Sequence, residues 1–169
     1  MELEQALKRL NENRQFNSWK KARVKAYFSY AFRMFLESED DWQIGYYDKE
    51  HDKITTFVVK NDSVDARAEE DVFKEETTSV LPIDRSKLRI KLDKIMSNAK
   101  QFQNGTYPNE IPIKIIAILQ NLENFGTIWN ITYITASFNT LNMKIKADDG
   151  SIMEHKLFPL LSFKKDDAK

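Results

Sequence analysis

From Ile113 to Leu157 the chain runs strand after strand, with no stretch between them long enough to be a helix. In "TLNMKIKADDGSIMEHKL", Leu141, Met143, Ile145 and Ala147 alternate with Asn142, Lys144 and Lys146. That period of two marks a strand with one core face and one wet face. Asp149-Gly150 then supplies a tight hairpin turn into residues 151–157. Upstream, "TIWNITYITASF" (127–138) and the β-branched run "IKIIAILQ" (113–120) read as two more strands joined at Glu123–Gly126. Parallel neighbours need a crossover of a dozen residues or more, so these four strands pair antiparallel and a doubly wound parallel sheet is excluded. A one-sided stripe of Leu92, Ile95, Ala99 and Phe102 places a helix over 91–103, stopped by Asn104-Gly105 and two prolines. The class is α+β, a helix followed by a four-stranded antiparallel meander.

The first half is read by the same rules. Leu3, Leu7 and Leu10 predict a short amphipathic helix over 2–12. Asn17 or Ser18 is placed to cap a second helix running to about Glu37. Val24, Phe28, Ala31 and Phe35 form one stripe of it, and Tyr27, Tyr30 and Met34 form the next. With Phe32 and Leu36 the helix is apolar over most of its circumference, which predicts a long aromatic element wrapped by the rest of the fold. Beyond "ESEDD" (37–41), the alternating "WQIGYY" (42–47) and the β-branched "KITTFVV" (53–59) predict a hairpin across the polar loop 48–52. Residues 61–79 are acidic and weakly periodic, with Val72 and Phe73 as a third short strand or a turn of helix. The division is 1–79, a helix and hairpin region, and 80–169, the α-ββββ region, packed as one unit.

Composition narrows the chemistry. The chain has 169 residues and no Cys, which removes thiolate catalysis, disulfides and cysteine metal sites. Its four Gly stand too far apart for a phosphate-cradling loop or a dinucleotide fingerprint. Basic and acidic residues balance at 26 each, so no global field favours nucleic acid or an anionic membrane. The apolar runs 26–36 and 111–119 are too short for a membrane span. The charged opening "MELEQALKRLNENRQF" carries no leader-like apolar core, and the expectation is a cytoplasmic protein.

Two segments echo each other 87 residues apart: Trp42-Gln-Ile-Gly-Tyr46 and Trp129-Asn-Ile-Thr-Tyr133, each a Trp, a carboxamide, Ile, a small residue and Tyr. The pattern raises the expectation of two related α+β halves. In the second half "KIMSNAKQF", "PIKIIAILQ", "IWNI" at 128–131 and "KADDGSI" at 146–152 stand in the order helix, strand, strand, hairpin. On these motifs, over about residues 80–157, the chain resembles the PepSY domain, with a weaker echo in 42–60. The resemblance implies a non-catalytic protein that regulates or inhibits through protein contacts. It supplies no catalytic residues to carry over, and the expectation for the chain is no metal and no cofactor.

Other constellations carry less. "DKEHD" (48–52) offers Asp48, Glu50, His51 and Asp52 to a cation, but Lys53 stands where an EF-hand needs Gly and Val59 where it needs Glu. His51 and His155 are the only imidazoles, each read as a surface or edge histidine. The carboxylate runs 37–41 and 69–76 read as solvated faces. Residues 14–25 gather five basic side chains around Phe16 and Trp19, a pattern that can grip single strands. An internal charge match, with 65–76, is the favoured reading of that stretch. The leading expectation is therefore a binding protein for a protein or peptide partner, with Trp19, Tyr27, Tyr30, Trp42 and Trp129 as candidate binding residues. The second is a small-molecule binder or enzyme whose pocket lies between helix 16–37 and the sheets, lined by Tyr27, Tyr30, Phe32, Trp42 and Trp129.

Overall fold

The computed structural model describes residues 1–35, 41–71 and 79–160. Helix α1 spans Leu3–Glu12 and buries Leu3, Ala6, Leu7 and Leu10. Its start is closed by a capping box between Glu2 and Gln5. Helix α2 spans Arg14–Ala22, and its cap is Asn13, whose side chain accepts from the Phe16 amide at 2.9 Å. Nine strands follow among the described residues: β1 Tyr27–Phe35, β2 Trp42–Asp48, β3 Lys53–Val59, β4 Val64–Ala66, β5 Glu70–Asp71, β6 Pro112–Leu122, β7 Gly126–Thr135, β8 Asn139–Lys146 and β9 Ile152–Pro159. Helix α3, Leu92–Thr106, stands between β5 and β6. All pairings are antiparallel in one sheet of order β4-β3-β2-β1-β6-β7-β8-β9, with β5 also on β3. The α+β class, the hairpin 42–59 and the helix-then-meander order of the second half stand as the sequence implies.

The long aromatic helix does not form. The helix ends at Ala22, and Tyr27–Phe35 is a strand at the middle of the sheet. Two causes act together. Lys20 donates to the carbonyls of Arg23, Val24 and Ala26, closing the helix end, while Arg23 is drawn to Asp48 and Glu69. Beyond it, "YFSYAFRMF" is rich in residues that favour a pleated, half-buried surface. A central strand has neighbours on both edges, which meets the same demand for burial that the helical reading recognised. The register slips between Phe28 and Tyr30, so a bulge at Ser29 puts Phe28 on the face of Ala31. The segment 61–79 contributes the short β4 and β5, and the Val72–Phe73 expectation lies outside the described residues.

The sheet is two matched meanders. β1-β2-β3-β4 and β6-β7-β8-β9 share one layout and meet where β1 pairs β6. In the first, Ala31 pairs Ile44 and Ile44 pairs Phe57; in the second, Ala117 pairs Ile131 and Ile131 pairs Met143. Trp42 faces Val59 as Trp129 faces Ile145, and Tyr46 faces Thr55 as Tyr133 faces Leu141. Along the join, Arg33 pairs Ala117 while Ala31 pairs Leu119, and Phe32 faces its own counterpart, Ile118. A pseudo-two-fold axis therefore crosses the sheet at the Phe32–Ile118 pair. The turns agree as well: the residues with left-handed backbone just before β3 and β8 are Asp52 (φ 51°) and Phe138 (φ 57°).

Among the described residues the core sits on one face of the sheet. Trp42, Ile44, Phe57, Val59, Ala117, Leu119, Trp129, Ile131, Leu141 and Met143 pack with Leu7, Leu10, Phe16, Ile95 and Ala99 from the helices. Each of those strand residues alternates with one that points to the other side of the sheet.

Candidate functional site

Among the described residues, no helix covers that other side. Its centre is apolar: Tyr30, Phe32 and Met34 of β1, Ile116 and Ile118 of β6, and Ile134 of β7 are all half-buried. One row of neighbours crosses the whole sheet, from Asp65 and Val58 through Gln43, Phe32, Ile118, Asn130 and Lys144 to Glu154.

The flanks of this stripe differ. On the β2–β3 side the Tyr30 ring lies flat over Gly45, where a Cβ would stand 2.0 Å from its Cε1 atom. The Tyr30 hydroxyl reaches the Thr56 hydroxyl at 2.7 Å. Burial pushes the Tyr30 phenol up, against a smaller downward pull from the Thr56 bond. Beside it a cleft of about 560 Å³ is lined by Met34, Asp41, Gln43, Val58, Lys60 and Arg67, with Lys60 held 3.2 Å from Asp65. On the β7–β9 side the surface is amide and ammonium. Asn142 donates to Asn130 at 2.6 Å and to Thr132 at 2.8 Å. Lys144 lies 4.5 Å over the Phe125 ring and pairs with Glu154, which also meets Lys156 at 3.6 Å. Lys144 holds the Glu154 carboxyl below its usual range.

The five candidate aromatics do not converge. Tyr30 belongs to the uncovered face. Tyr27 lies on the same side but meets Tyr47 edge-on at 5.6 Å and donates to the Val80 carbonyl at 2.8 Å. Trp42 and Trp129 are on the covered side, 1% and 2% exposed, with ring centroids 6.3 Å apart. The Trp42 indole donates to the Met1 carbonyl at 2.9 Å, whereas the Trp129 N–H is buried with no partner among the described residues. Trp19 packs edge-on to Phe57 at 5.1 Å and Tyr46 at 5.9 Å, with Arg23 5.6 Å over its ring. The pocket expected from Tyr27, Tyr30, Phe32, Trp42 and Trp129 is thus divided by the sheet itself: the helix that would have closed it is β1.

The remaining candidates resolve locally. Asp48, 3% exposed, accepts from the Glu50 amide at 3.0 Å, contacts His51 Nδ1 at 2.7 Å and lies 3.7 Å from Arg23. Burial alone would raise its carboxyl, but His51, the Glu50 amide and Arg23 together bring it below the usual value. Asp52 is taken by the Tyr47 hydroxyl at 2.5 Å, so the loop's carboxylates point to separate partners. His155 stands on β9, 2.8 Å from the Tyr107 hydroxyl and 4.8 Å from the Phe102 ring, far along the sheet from His51. The basic stretch meets acids of its own chain: Arg23 pairs with Glu69 and Lys25 with Glu50 at 2.6 Å, while Phe16 and Trp19 turn inward. Of the carboxylate runs, Glu69 and Asp71 serve as ion-pair partners of Arg23 and Lys53. Sequence reasoning missed the apolar stripe because Tyr27, Tyr30 and Met34 also satisfy a helical spacing.

The sequence matches no protein-family model and no curated protein. Among solved structures it is similar to a "putative lipoprotein" from Clostridium difficile 630, with a TM-score of 0.58 and 13% identity over 85% of this chain and 90% of that one. At that identity the likeness concerns the fold alone. No helix among the described residues is long and apolar enough to cross a membrane.

Proposed function

We propose that this chain is a non-catalytic binding protein, PepSY-like in its second half, that engages a protein or peptide through the uncovered face of its sheet. One observation carries the reading: the half-buried apolar stripe on Tyr30, Phe32, Met34, Ile116, Ile118 and Ile134 lies across the β1–β6 join with no helix above it among the described residues. Contiguous exposed apolar surface rimmed by polar groups marks an interaction site. Here the rim is Gln43, Thr56 and Arg67 on one side and Asn130, Asn142 and Lys144 on the other. Of the side chains best suited to acid–base work, Asp48 and His51 bond each other within one turn, and His155 stands far along the sheet against Tyr107 of the α3 end. Crosslinking in cell extract should yield a defined partner for the native chain. The double substitution Phe32→Thr and Ile118→Thr, which places β-branched side chains at the paired positions, should remove that partner while circular dichroism stays native-like. A native chain that captures nothing, or a folded variant that captures the same partner, would overturn the reading.

A further inference from the structure

The two edges of the sheet are built differently. The β4/β5 edge is broken into pieces of three and two residues, a form that resists pairing with another chain. The β9 edge is a strand of eight residues, and two of its side chains, Met153 and Leu157, are 46% and 38% exposed. Read outward from His155, the strand is chemically palindromic over 153–157: Glu154 answers Lys156 and Met153 answers Leu157, and beyond them the register with β8 shifts between Glu154 and Ile152. An antiparallel pair of identical strands about a two-fold axis places such positions opposite one another, their Cβ atoms about 5 Å apart.

We infer that the protein self-associates through β9, pairing antiparallel with β9 of a second copy about a two-fold axis at His155. Glu154 of each copy then lies opposite Lys156 of the other, on the uncovered side of the sheet, where Glu154 already neighbours Lys144. Within one chain Lys144 and Lys156 both address Oε1 of Glu154. On the covered side, Leu157 of each copy meets Met153 of the other. Pro159, which has no N–H to give, falls opposite Ser151 and outside the paired stretch. Because the axis stands perpendicular to a continuous sheet, both uncovered faces point the same way, and the dimer presents two copies of that surface side by side. An edge contact of this length is at the small end of specific interfaces, so the dimer is weak and concentration-dependent.

Sedimentation velocity across a concentration series tests this with two charge variants. Lys156→Glu alone sets Glu against Glu at both crossings, and Glu154→Lys alone sets Lys against Lys. Each variant should remain a monomer at concentrations where the native chain dimerises, with its circular dichroism unchanged. Mixed in equal amounts, the two restore opposite charges at both crossings, and the dimer should return with an association constant at least tenfold above either variant alone. A native chain that stays monomeric throughout, variants that dimerise like the native chain, or a mixture that stays monomeric would overturn the proposal.

Discussion

The two meanders share a frame and differ in what they show. Facing the helices, equivalent positions hold Trp42 and Trp129, Ile44 and Ile131, Ala31 and Ala117, Val59 and Ile145, so the buried register is kept nearly residue for residue. On the uncovered side the same positions have parted: Gly45 against Thr132, Thr56 against Asn142, Val58 against Lys144. Packing fixes the first set, because a one-residue slip would send every core side chain to the wrong face. Nothing in the frame fixes the second set. The first half offers small and apolar groups beneath a flattened Tyr30, and the second offers amides and lysines. A single scaffold thereby carries two chemically distinct flanks about one apolar centre.

The largest effects should fall on what the halves share. Trp42→Ala and Trp129→Ala each remove a fully buried indole and should cost about 3–5 kcal/mol in denaturant melts. Costs that differ by more than half would break the equivalence. Next comes the glycine that has no counterpart. Gly45→Thr, which copies the second half into the first, drives a Cβ into the Tyr30 ring and should cost about 1–3 kcal/mol. The companion change Tyr30→Ala should relieve most of that penalty, and a double-variant cycle measures it.

Smaller again is the difference between the two indole nitrogens. Trp42→Phe loses a hydrogen bond to Met1, whereas Trp129→Phe deletes an N–H that has no partner among the described residues. The first should therefore cost about 1 kcal/mol more than the second. The least of the four is a pH effect. At the turn after β2 the buried pin is Asp48, and at the turn after β7 it is Thr135, which bonds Glu110 at 2.6 Å and the Asn139 carbonyl at 3.2 Å. The Asp48 carboxyl is held below its unfolded value of 3.8, so its stabilisation is complete above that value and is lost as pH falls through the folded one. Hydrogen exchange on acidification should rise in β2–β3 before β7–β8, and Asp48→Asn should abolish that order.

Much of this frame was legible in the sequence. Where one face is core and the other wet, as at Leu141–Ala147, alternation states the strand outright. The Trp-carboxamide-Ile-small-Tyr echo pointed to the duplication of layout that the register displays. The failure at 27–35 has a physical cause. Where Tyr27, Phe28, Tyr30, Ala31, Phe32, Met34 and Phe35 are nearly all apolar, periods of 2 and 3.6 both fit, and only the distant partners in β2 and β6 decide. The candidate site went with it, since a stripe of β1 and β6 exists only once residues 32 and 118 are neighbours. Arg23 shows the same limit: the internal charge match was readable, but its partner Asp48 sits in a turn whose carboxylates looked merely solvated.

The account rests on the join at the pseudo-two-fold axis, and the absence of native Cys makes it directly testable. Phe32→Cys with Ile118→Cys places two thiols on opposed residues of an antiparallel pair, close to the Cβ spacing of about 4 Å that a disulfide needs. Mild oxidation should link them within one chain nearly to completion. Moving one thiol to Ala117 or Leu119, whose side chains face the helices, should leave the pair reduced. Failure of 32–118 to link, or equal linking in the shifted pairs, would contradict a sheet made of two register-matched halves.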